Sequence, residues 1–113
     1  MQLTNERVGK HAFLADMYAD SYFPKPQVDK VKAVLLDLCV AIEQERPASA
    51  EHFLRLTHAA TERINGLAEE FEQNGSELET AAREAMAAEF GVIAEAYGFG
   101  GLDIEEVIAP RDW

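Results

Sequence analysis

The sequence predicts an all-α protein: an up-and-down four-helix bundle with a short C-terminal helix and tail folded back on it. Three observations carry this. Apolar residues recur at spacings of three and four along four long segments, no stretch alternates with period two, and capping or breaking residues separate the segments. The 113 residues read as a single helical domain, 1–113.

The first helix is expected from about Asn5 to Tyr22. Leu14, Tyr18, His11, Met17 and Ser21 share one face, with Phe13, Ala15 and Tyr22 beside it. Gly9 weakens it by about 1 kcal/mol. Phe23 precedes Pro24 and is steered from helical angles, which ends it.

The second helix begins near Pro26, whose missing N–H costs nothing in a first turn. Val28, Val31, Leu35, Leu38 and Ile42 form its stripe, widened by Val34, Cys39 and Ala41. Such a helix is enclosed. It stops before Pro47.

The third helix opens at Ser49, a good N-cap, and runs to about Asn74. Its inner stripe is Phe53, Leu56, Thr57, Ala60, Ile64, Leu67 and Phe71. In NGSELE, Gly75 suits a left-handed cap, and Ser76 with Glu79 forms a capping box for the next helix. A turn this short makes the third and fourth helices antiparallel neighbours.

The fourth helix runs to about Tyr97, with Leu78, Ala82, Met86, Phe90, Ile93 and Tyr97 facing inward. The glycines of GFGG break it. Asp103 and Glu106 form another capping box, starting a short helix that turns Ile104, Val107 and Ile108 toward the bundle and closes at Pro110. The last three residues are expected to run back across the bundle, with Trp113 as the anchor.

Charge narrows the function. The net charge is −11, from 21 acids and 10 bases. Residues 1–61 hold eight acids and seven bases; residues 62–113 hold thirteen acids and three bases. Acids repel phosphate, so neither nucleic acid nor an anionic membrane is an expected partner. A basic protein is. The single cysteine, Cys39, allows no intrachain disulfide and reads as a buried thiol. The opening MQLTNERVGK lacks the apolar region of a signal peptide, so a cytoplasmic location is expected.

Five stretches occur together and in order: DSYFPK, HAATERIN, NGSELETAARE, AYGF and IAPRDW. On these the whole chain resembles a family of small uncharacterised bacterial proteins, a domain of unknown function. The resemblance implies a bacterial protein and brings with it no catalytic residue.

Several groupings could carry chemistry. His58, Glu62 and Asn65 share a face of the third helix, with Glu69 a turn beyond, as a base with its orienting carboxylate or half a metal site would require. Helical periodicity turns them away from the Ile64 and Phe71 stripe, so they are expected on the solvated face without a metal. Di-iron bundles need Glu-x-x-His pairs, but Val8, Ser49 and Arg55 stand three residues before the histidines. Ser21, Ser49 and Ser76 fall at helix ends, where capping explains them, and no phosphate-binding glycine loop occurs.

No catalytic, cofactor or metal residue is therefore assigned. The leading expectation is a non-enzymatic interaction protein that binds a basic partner, in the manner of an inhibitor or immunity protein, or pairs with a second copy of itself. Its candidate surface is Glu62, Glu69, Glu70, Glu72, Arg111 and Trp113. The alternative is a small-ligand binder or enzyme with a pocket near Tyr18, Asp20, Tyr22 and Lys25.

Overall fold

The computed structural model describes residues 3–73 and 80–113. Its helices are α1 (Glu6–Lys10), α2 (Ala15–Ala19), α3 (Lys25–Glu45), α4 (Ala50–Gln73), α5 (Thr80–Ala96) and α6 (Ile104–Val107). No strand is present among the described residues. The all-α bundle is as expected, and the expected turn at Gly75, Ser76 and Glu79 lies outside the described residues.

One element differs from expectation. The first helix is two short helices, because Leu14 adopts a left-handed conformation at φ 59°. Asn5 caps α1, its side chain accepting from the N–H groups of Arg7 and Val8. The break is stabilised from α5: the Glu89 carboxylate accepts the Leu14 N–H at 2.9 Å. It lets Phe13, Leu14 and Met17 all enter the core, each 3% exposed or less.

α3 and α4 form the most extensive helix pair. Val28, Val31, Leu35 and Cys39 of α3 and Phe53, Ile64 and Phe71 of α4 are fully buried. Ser49 caps α4, its Oγ accepting the His52 N–H at 3.2 Å. α5 ends in a Schellman turn: the Phe99 N–H reaches the Ala94 carbonyl at 2.7 Å, the Gly98 N–H reaches that of Glu95, and Gly98 has φ 87°.

The C-terminal segment is integral. α6 packs on both α4 and α5. Asp103 caps it by accepting the Glu105 N–H at 3.0 Å. Val107 and Ile108 are buried, and Trp113 is only 7% exposed, nearly parallel to the Phe90 ring with centroids 6.5 Å apart.

This tail corrects the reading of His58 and Asn65. Both lie under it rather than on a solvated face. His58 Nε2 donates to the Glu106 carbonyl at 2.7 Å. Asn65 Nδ2 donates to the Pro110 carbonyl at 3.0 Å, and its Oδ1 accepts the Asp112 N–H at 2.8 Å. Helix periodicity finds the face turned to the core of long helices. It does not reveal that eleven residues from Asp103 onward cover a second face.

Candidate functional site

Three constellations bring polar chemistry together, and they differ in what they can do.

The first is Glu43, on α3. Its carboxylate accepts from the Thr4 N–H at 2.7 Å, the Thr4 hydroxyl at 2.8 Å, the Asn5 N–H at 3.2 Å and the Tyr97 hydroxyl. Burial disfavours its charge, but these four hydrogen bonds outweigh that and hold its pKa near 2. Such a carboxylate is a poor base at neutral pH. Burial, then the Glu43 charge, pushes the nearby Cys39 thiol up to about 12, far from reactive thiolate chemistry. Burial and the bond to Glu43 likewise raise the Tyr97 pKa. This grouping clamps the N-terminal segment to α3.

The second is His11 with Glu89. Glu89 is 7% exposed, rare for a carboxylate, and both its oxygens lie 3.0 Å from His11 Nε2. Phe13 meets the imidazole edge-on at 4.7 Å. The pair adjoins a groove of about 480 Å³ between the α1 segment and α3, with His11, Lys10 and Lys32 on its polar side and Leu3, Phe13 and Leu36 among its apolar walls. The sequence hid this pair: His11 and Glu89 are 78 residues apart, and Glu89 is one glutamate among many.

The third is a groove of about 580 Å³ beside α5. Glu84, Ala87, Ala88, Gly91, Val92 and Glu95 follow one another at helical spacing along one wall, and Leu102, Ile104 and Val107 face them. Both ends are acidic, and among the described residues a Cβ added at Gly91 would meet nothing within 4 Å.

The residues singled out in the sequence are distributed differently. Glu62, Glu69 and Glu72 are exposed on α4, and Glu70 pairs with Lys30 at 2.5 Å. Trp113, expected on the interaction surface, is a core residue. Arg111 stands over its indole at 5.6 Å and pairs with Glu105 at 3.3 Å, so both serve the fold. Tyr18 donates to Asp29, and the Lys32 ammonium lies 5.9 Å from its ring centre. Asp20 accepts the Tyr22 N–H at 2.9 Å, a local turn. Tyr22 and Lys25 are exposed.

Among the described residues, no three His, Cys, Asp or Glu side chains group as a metal site, and no helix is long and apolar enough to cross a membrane. No curated protein and no solved structure matches the chain. Residues 7–113 match a family of unknown function, DUF5713, and with nearly its whole length matched the chain belongs to that family.

Proposed function

We propose that this protein is a cytoplasmic, non-enzymatic binding protein whose acidic C-terminal half docks a basic helical segment of a partner protein. The groove beside α5 carries the reading. Between Glu84 and Glu95 its wall presents four small or apolar residues, Ala87, Ala88, Gly91 and Val92, a surface on which the apolar face of an amphipathic helix can lie. Gly91 costs α5 roughly 0.5–1 kcal/mol relative to alanine, yet among the described residues no neighbour requires its small size. A closely approaching foreign backbone gives that glycine a use. Acidic ends favour lysine and arginine and oppose a second copy of a chain with net charge −11.

The test is a titration with a fluorescently labelled fourteen-residue leucine–lysine amphipathic peptide, at low and high salt. Binding should weaken at least tenfold in Gly91→Leu, which fills the groove at constant charge. It should also weaken in Glu84→Lys with Glu95→Lys. Glu69→Lys with Glu72→Lys on α4 should leave the groove intact. If only the α4 changes weaken binding, the surface expected from the sequence is the docking face. Peptide binding unaffected by every change would refute a defined acidic site.

A further inference from the structure

The groove beside α1 supports a different activity, independent of the docking face. Its volume, about 480 Å³, falls among those of small-molecule sites. In a chain with 21 acids and 10 bases, two lysines line it, and neither Lys10 nor Lys32 forms an ion pair among the described residues. The acids around them are otherwise engaged or lie at the margin. Glu89 is held by His11 and the Leu14 N–H, and Asp29 by the Tyr18 hydroxyl. Glu6 is exposed in the first turn of α1. Glu89 fixes the imidazole of His11 through Nε2. Leu3 and Leu36, both half-buried, offer apolar surface beside these charges.

We propose that this groove binds a small organic carboxylate with an apolar body, its charge received by Lys10 and Lys32 beside the Glu89-oriented His11, and its body laid on Leu3 and Leu36. The whole-molecule field works against this ligand, since a net charge of −11 attracts cations and repels anions. Preference for a carboxylate over an ammonium of equal length is therefore a signature of the groove and not of overall charge.

The experiment titrates the full chain with octanoate, octylammonium and octan-1-ol, followed by amide chemical shifts. Octanoate should bind at least tenfold more tightly than either other compound, with the largest shifts at Val8, Lys10, Lys32 and Leu36. Lys10→Gln with Lys32→Gln should lower octanoate affinity at least tenfold without moving amides elsewhere; both side chains lie at or near the surface, so the fold is spared. Gly91→Leu should leave octanoate binding unchanged. Equal or tighter binding of octan-1-ol or octylammonium, shifts centred elsewhere, or no saturable octanoate binding at low-millimolar concentration would overturn the proposal.

Discussion

Asn65 grips the backbone on both sides of Arg111: its amide donates to the Pro110 carbonyl and its carbonyl accepts the Asp112 N–H, at 3.0 and 2.8 Å. One side chain on α4 thereby replaces the partners that a neighbouring strand or helical turn would supply to an extended segment.

Replacing Asn65 with Ala removes both bonds and is expected to cost about 2 kcal/mol. Asn65→Asp keeps the acceptor and loses the donor, so it should fall between. Chemical denaturation of the three proteins checks the order. Equal midpoints for wild type and Asn65→Ala would show that the tail does not depend on this contact.

Trp113 separates two effects. Truncation to Ala should cost about 3 kcal/mol, the lower end for a large buried aromatic. The lower end applies because the buried indole N–H has no hydrogen-bond partner among the described residues and already carries a penalty. Trp113→Phe deletes that orphan donor and should stay within about 1 kcal/mol of wild type. Thermal midpoints of both variants test this, and wild-type fluorescence should be blue-shifted.

Glu43 sets an acid limit. Its folded pKa, near 2, lies below the ordinary 4.5, so its stabilisation is complete above pH 4.5 and is lost as pH falls toward 2. Glu43→Gln should be less stable than wild type at pH 7, by on the order of 2 kcal/mol for hydrogen bonds to a charged group. The gap between them should narrow through that window. Denaturation at pH 7, 4 and 3 measures it; a gap that stays constant would mean that Glu43 is not held ionised by the clamp.

Arg46 caps α3 in a left-handed conformation, φ 48°, with its side chain exposed. Arg46→Gly should therefore raise stability, by up to about 1 kcal/mol, since glycine adopts this geometry without steric cost. A melting midpoint lowered by the change would mean that the arginine side chain contributes more than the backbone strain removes.

The long helices were legible because each buries one stripe against a continuous core. Val28 to Ile42 and Phe53 to Phe71 repeat at spacings that only a helix satisfies. The broken N-terminal helix was not, because nothing near Leu14 in the chain forbids a helix there. The agent is Glu89, 75 residues away. The same separation hid the His11 site. Trp113 as an anchor followed from size and apolarity. His58 and Asn65 were misplaced because the contacts made by the tail are a tertiary fact with no local period.

These separations also order assembly. α3 and α4 are joined by residues 46–49 and can pair with little loop-closure entropy. α1 and α2 must wait for partners far along the chain, as Asn5 does for the Ala96 carbonyl, 91 residues distant. The segment from Asp103 onward must wait for α4 and α5 to stand together. The α3–α4 hairpin is thus the natural nucleus, and both ends of the chain are late arrivals. Destabilising changes at Asn65 or Glu89 are then expected to hasten unfolding more than they slow folding. Amides of α1, α2 and α6 should exchange with solvent through partial openings that leave the hairpin closed.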